Sequence, residues 1–199
     1  MEAILIGGFV EIIELCDLCR VNILGVIDKT LDKNFCGYPV LGNDADAPTL
    51  ARLYRKVPLI VTPDTPATRK KIANLYAALG FSFASLISPK ADVSKSARIG
   101  EGVIIQSGVS ISSNVSIDNF VHVNVRANIM HDCTIEAFAT IAPNAVLLGR
   151  VRVGQFCYIG ANSTIMPDVT IHERSVVGAG AVVVKDVSEN KRVKGVPAR

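Results

Sequence analysis

Hydrophobic positions follow one rule in the second half of the chain and another in the first. From Val93 onward every sixth residue is aliphatic: Val93, Ile99, Ile105, Ile111, Ile117, Val123, Ile129 and Ile135, then Ile141, Leu147, Val153, Ile159, Ile165, Ile171, Val177 and Val183. A register kept without a slip over that length is an internal repeat. Four residues after each aliphatic sits something small or β-branched, from Ala97 and Val103 through Ala127, Cys133 and Ala139 to Ala181 and Val187. A period of six with two apolar positions matches neither a helix nor plain strand alternation. It predicts short strands joined by tight corners, a parallel β-helix. Phe120, Phe138 and Phe156 share one hexad position and recur every 18 residues, so three hexads make one triangular coil. The repeat gives about five coils and a prism roughly 25 Å tall at about 4.8 Å per coil.

The first half predicts an α/β unit. Ala3–Ile6 is a short apolar strand ending in Gly7-Gly8, Val10–Arg20 has helical spacing, and Ile23–Ile27 is a strand ending in Asp28. Strand, glycine turn, helix, strand, acid is a βαβ pattern of nucleotide-binding type. Pro58–Thr62 predicts a further strand and Thr68–Leu79 a helix. Gly7-Gly8 is not a full G-x-G-x-x-G, so a structural turn and a phosphate cradle both fit it. The expected organisation is an α/β domain over 1–85, a linker over 86–92 where Pro89 discourages helix, the β-helix over 93–187 and a basic tail over 188–199.

Composition narrows the function classes. A chain 49% hydrophobic is not a disordered one, and no run of about 18 apolar residues offers a membrane span. Met1–Phe9 is short and lacks a basic start, so it does not read as a signal peptide. Of eleven aromatic rings, seven precede residue 93, which leaves the repeat an aliphatic core. The net charge is +3, and Lys191, Arg192, Lys194 and Arg199 crowd the last nine residues. That cluster suits an anionic small molecule or a solvated tail; without interleaved aromatics it does not read as a nucleic-acid track. Five cysteines without framework spacing imply no disulfide scaffold and fit a reducing cytoplasm. Cys16-x-x-Cys19 falls in the predicted helix and reads as packing.

Three histidines carry the candidate chemistry. His131 and His172 lie 41 residues apart, more than two coils or roughly 11 Å along the axis, and His122 and His131 fall on different sides. One chain cannot bring this set to a zinc ion, so no metal is expected; ligands from neighbouring subunits leave a carbonic-anhydrase-like reading open. His122 and His172 are expected to be solvent-exposed. His131 faces outward near a corner and is followed by Asp132, which raises imidazole basicity and fixes its tautomer. Its column reads Ser113, His131, Gly149, Pro167, so Gly149 is expected to leave open space and a bare N–H beside the ring. A general base beside an amide donor is what acyl transfer needs. A surface histidine next to a surface aspartate fits the same residues.

The segment Asn124-Val-Arg-Ala-Asn-Ile-Met-His131-Asp132-Cys133 resembles the N-x6-H-[DE]-C signature of bacterial hexapeptide-repeat sugar acetyltransferases of the sialic-acid O-acetyltransferase type. That group includes N-acetyltransferases of nucleotide-linked amino sugars. Gly178-Ala-Gly-Ala-Val-Val183 and the ending Lys194-Gly-Val-Pro-Ala-Arg199 resemble its upper coils and tail, and the likeness covers nearly the whole chain. The resemblance implies a left-handed β-helix behind a small Rossmann-like domain, a homotrimer, and acetyl-CoA lying between adjacent prisms. It implies His131 as general base, Asp132 raising its basicity, Asn124 assisting, and the Gly149 N–H receiving the thioester oxyanion. Acetyl-CoA would touch Ala161 and Ala179, beside Gly178, with Lys194 toward its phosphates. Gly7, Gly8 and Asp28 would take the nucleotide sugar. Thr140 stands where the family often has a second histidine, so a CoA contact is altered there. The implied activity is acetyl transfer to the amine of a nucleotide-linked amino sugar, in surface glycan synthesis in the cytoplasm. Transfer to a hydroxyl of sialic acid or serine shares the same base and cleft, and a non-catalytic β-helix scaffold is the non-enzymatic alternative. Cys133 and Cys157 fall at inward positions, so no acyl-enzyme is expected.

Overall fold

In the computed structural model, which describes residues 1–199, the chain divides into two units, Met1–Leu86 and Ile87–Arg199. The first is built on β1 (Glu2–Ile6), α1 (Val10–Leu18), β2 (Asn22–Ile27), β3 (Asn34–Phe35), β4 (Tyr38–Gly42), α2 (Ala47–Tyr54), β5 (Leu59–Val61) and α3 (Pro66–Ala78). The sheet runs in the order β3-β4-β2-β1-β5, parallel throughout except for the β3–β4 hairpin. Ala3–Ile6 and Leu59–Val61 are buried along their whole length, which is why both read as continuous apolar runs rather than alternating ones. Helix α1 turns Ile12, Ile13, Leu15 and Cys16 inward. Pro66 starts α3, where its fixed φ and missing N–H cost nothing. The hairpin and α2 lie outside the predicted elements: β3 and β4 have no fully buried residue, and α2 is only eight residues long.

The second unit is a parallel β-helix of two-residue strands, each paired with the strand 18 residues on: Ser110–Ile111 with Asn128–Ile129, then Val146–Leu147, Thr164–Ile165 and Val182–Val183. Two further sheets of the same kind close the triangle. The sixfold aliphatics from Ile105 to Val183 are buried, as are Val103 to Val187 four residues after them. One aliphatic and one small residue per side fill a narrow prism, with no room for rings.

From Gly102 to Gly180 every corner turns through a residue in the left-handed region, including Asn114, Phe120, Arg126, Asp132, Phe138, Asn144 and Arg150, with φ between 56° and 64°. Residues other than glycine adopt this conformation reluctantly. The corner is held because its N–H donates to a carbonyl one coil away, as Asp132 does to Ser113 and Arg150 to His131. The three phenylalanines stack outside the prism along one edge, with centroids 5.1 and 5.5 Å apart, and Arg174 covers the last ring. After Val183 the period breaks: Arg192–Val193 pairs with Val176–Val177 only 16 residues earlier, and the backbones of Lys194 and Arg199 bond each other. No helix is long and apolar enough to cross a membrane.

Candidate active site

His131 and Asp132 occupy one corner of the third coil. Asp132 is in the left-handed conformation, which turns its carboxylate back along the edge. Its Oδ2 lies 2.8 Å from His131 Nδ1, and its Oδ1 accepts a hydrogen bond from Asn114 Nδ2 at 3.1 Å. The bonds from His131 and Asn114 hold the Asp132 carboxyl below the ordinary range, so it is an anion at neutral pH. An anion at Nδ1 assigns the proton to that nitrogen and leaves the Nε2 lone pair free. Both side chains are about half exposed.

Gly149 sits one coil away in the same column, and the imidazole lies directly against it. A Cβ built on Gly149 would meet His131 Cε1 and Nε2 at 2.7 Å each. This corrects the expectation of open space: the ring itself fills it. The Gly149 N–H donates to no group of the protein, while its carbonyl accepts from Asp168 N–H at 3.1 Å. A free lone pair and a free amide donor therefore share one corner.

Asn124 stands at the preceding corner rather than beside His131. Its column continues through Ala142, Gly160 and Gly178 to Lys194, and the next column through Pro143, Ala161 and Ala179 to Gly195. The edge is lined by small residues with little side chain beyond the backbone. A Cβ on Gly178 would press on Lys194 Cβ at 3.1 Å, so the basic ending sits directly over it. One chain thus puts His131, Asp132 and Gly149 on one edge, and Asn124, Ala161, Gly178, Ala179 and Lys194 on another, with one prism face between them.

Thr140 is fully buried, unlike Ala161 and Ala179, which reach the surface. His122 is also buried, at 3% exposure, which overturns its expected place in solvent; His172 is exposed as expected. Burial pushes the Cys157 thiol up to about 11 and raises that of Cys133, and their sulfurs donate to the carbonyls of His172 and Leu148. The side chains of His, Cys, Asp and Glu gather nowhere in threes that would hold a metal ion.

In the first unit Gly7 has φ +96°, a conformation for which glycine is suited, and its N–H donates to the Ile27 carbonyl. The Gly8 N–H donates to Asp28 Oδ2 at 3.1 Å. The glycine pair is a turn whose donors are engaged within the protein. Asp28 Oδ1 takes both the N–H and the hydroxyl of Thr30 at 2.8 Å. Partial burial opposes ionisation of Asp28, but these bonds outweigh it and the carboxyl lies below its ordinary value. Asp28 borders an open depression of about 370 Å³ with Lys29, Leu31, Lys33, Gly42 and Asn43. Sequence reasoning missed Asn114 and Thr30. Asn114 was findable, since it stands 18 residues before Asp132 in the column that the repeat defines.

A family model described as bacterial transferase hexapeptide (six repeats) matches residues 150–185. No curated protein matches the chain. Among solved structures, a histidine-to-alanine mutant of GDP-perosamine N-acetyltransferase from Caulobacter crescentus, in complex with CoA and GDP-perosamine, is 32% identical. The match covers 100% of this chain and 96% of that one, with a TM-score of 0.95. The acetyltransferase domain of PglB from Neisseria gonorrhoeae in complex with acetyl coenzyme A is 30% identical over 100% and 98% of the two chains, TM-score 0.93. WeeI from Acinetobacter baumannii is 26% identical over 100% and 99%, TM-score 0.87.

Proposed function

The chain belongs to the bacterial hexapeptide-repeat sugar acetyltransferases, and from that premise we propose that it moves the acetyl group of acetyl-CoA to the amine of a nucleotide-linked amino sugar, for surface glycan synthesis in the cytoplasm. The observation that carries this reading is the His131 corner, where a lone pair fixed by Asp132 lies against an amide donor that no protein group uses. His131 Nε2 takes the proton as the sugar amine attacks the thioester carbon. The C–N bond forms, the Gly149 N–H receives the oxyanion, the C–S bond breaks, and the proton returns to the departing thiolate. No covalent acyl-enzyme intervenes.

The two edges support a trimer. His131 and Asn124 stand on opposite sides of one face, so a ring of three prisms with that face inward sets one copy's base edge beside its neighbour's small-residue edge. Acetyl-CoA would lie between them along Ala161, Gly178 and Ala179, where bare backbone admits close approach, with Lys194 toward its phosphates. We take the β-helix as left-handed and the α/β unit as a Rossmann-like domain for the nucleotide. There Gly7, Gly8 and Asp28 shape the turn, and the depression beside Asp28 receives the ligand. One relative crystallised with CoA and GDP-perosamine supports the substrate class, and one crystallised with acetyl coenzyme A supports the acetyl donor.

The test is acetyl transfer by mass spectrometry onto UDP-, dTDP- and GDP-linked amino sugars, with sialic acid and serine alongside. Transfer to an amino sugar is expected, with kcat falling about 10²- to 10⁴-fold in His131→Ala while CoA still binds. Transfer only to a hydroxyl, or a His131→Ala enzyme of normal activity, overturns the reading.

A further inference from the structure

The geometry assigns to Asn114 and Asp168 a task at the base: Asn114 steadies the Asp132 carboxylate from one side, and Asp168 keeps Arg150 from capturing it from the other. This rests on the reading of His131 as general base. Ser96, Asn114, Asp132, Arg150 and Asp168 form a single column at intervals of 18 residues. Along it the Asn114 N–H donates to Ser96 Oγ at 2.9 Å, and Asn114 Nδ2 donates to Asp132 Oδ1 at 3.1 Å. That leaves Oδ2 for His131 Nδ1. With one oxygen tied, the carboxylate cannot rotate away from the ring.

Arg150 stands one coil from Asp132, about 4.8 Å along the axis. Its charge contributes to keeping Asp132 ionised, yet the two share no hydrogen bond. The guanidinium points the other way, with Nε on Asp168 Oδ1 at 2.5 Å and Nη2 on Oδ2 at 2.8 Å. An ion pair this exposed adds little stability. Its effect is on geometry: a guanidinium binds a carboxylate through two parallel N–H groups, a stronger grip than one imidazole N–H. Without Asp168 the nearest carboxylate in the column is Asp132. Once Arg150 took it, His131 Nδ1 would lose its acceptor, and the ring would share its proton between both nitrogens.

The experiment compares Asp168→Ala, Arg150→Ala, the double variant, Asn114→Ala and His131→Ala by steady-state kinetics and by 15N NMR of the His131 ring. Asp168→Ala is expected to lose about tenfold in kcat with KM unchanged, because a misaligned base costs the chemical step and not binding. Its ring nitrogens should move from one tautomer to a mixture. Adding Arg150→Ala should restore both kcat and tautomer to those of Arg150→Ala alone, a rescue that a structural role for Asp168 would not give. Asn114→Ala is expected to lose about threefold to tenfold, again with a mixed tautomer. A fully active His131→Ala enzyme sinks the base reading beneath this proposal. An inactive His131→Ala enzyme beside an Asp168→Ala enzyme with normal rate and tautomer, or with no rescue by Arg150→Ala, sinks this proposal alone.

Discussion

The corner at Phe138 and the corner at His131–Asp132 are built on the same backbone. Phe138 and Asp132 have φ of 62° and 60°, and the N–H of each donates to a carbonyl one coil away. On one edge the column above and below is a stack of rings, and on the other a set of polar groups, with Asn114 bonded to Asp132 and Arg150 to Asp168. The fold asks the same of both corners, a left-handed residue and an outward side chain, and leaves the identity of that side chain open. Stability and chemistry can therefore be placed on separate edges of one prism, and substitutions should separate them.

The largest effect that divides the edges is expected at Gly149. Gly149→Ala puts a methyl where the His131 ring now lies, with contacts at 2.7 Å that the ring can relieve only by tilting. Gly149 is not in the left-handed region, so alanine fits its backbone. The variant should unfold at the wild-type denaturant concentration and lose about 10²-fold in kcat, the cost of moving a catalytic group by about an ångström. A Gly149→Ala enzyme with normal turnover would show that the ring does not work from this position.

Phe138→Ala should do the reverse. The ring stacks on both neighbours, and each aromatic pair contributes about 0.5–1.5 kcal/mol beyond burial. Denaturant unfolding should show a loss of about 2 kcal/mol, with kcat unchanged in the folded enzyme. A fall in kcat without a fall in stability would mean that the ring edge takes part in turnover.

The contrast also marks what the sequence discloses. The interior was legible to the residue, because a prism side admits one aliphatic and one small side chain and repeats the demand every six positions. The His131–Asp132 pair was legible because the bond joins neighbours in sequence. Asn114 and Asp168 were not singled out, since each is an ordinary polar residue until the eighteen-residue column puts it beside Asp132 and Arg150. His122 misled because outward residues of a β-helix are usually wet, and this one is covered. In the α/β unit the strands β1 and β5 were plain as apolar runs, whereas the half-exposed hairpin Asn34–Gly42 carries no periodicity to read.

The cysteines give a finer division between inside and outside. Cys16 is buried and its thiol is pushed up to about 12, Cys157 to about 11, while Cys36 is exposed at the hairpin tip. Only the thiolate alkylates, so at pH 8 the thiolate fraction of the buried pair is about 10⁻³ or less. Brief iodoacetamide treatment of the native protein, read by peptide mass spectrometry, should label Cys36 and spare Cys16, Cys133 and Cys157, with activity retained. Loss of activity on labelling Cys133 or Cys157 would reopen a covalent mechanism.

The smallest effect is expected at Asp28, and its sign follows from its bonds. Donation from Gly8 and Thr30 holds the folded carboxyl below its unfolded value of about 3.9. A group depressed by folding stabilises fully above its unfolded pKa, and the contribution fades as pH falls through the folded one. Asp28→Asn should therefore lower stability at pH 7 by about 1 kcal/mol or less, and the gap to wild type should narrow as the pH falls through the depressed folded pKa of the carboxyl. If the gap is instead the same at pH 7 and below that pKa, the carboxylate charge does not hold the turn, and the hydrogen-bonding shape that asparagine retains in part is what matters there. Nucleotide-sugar affinity measured on the same variant then tells whether the turn at Gly8 does for the substrate what the Asp132 corner does for the base.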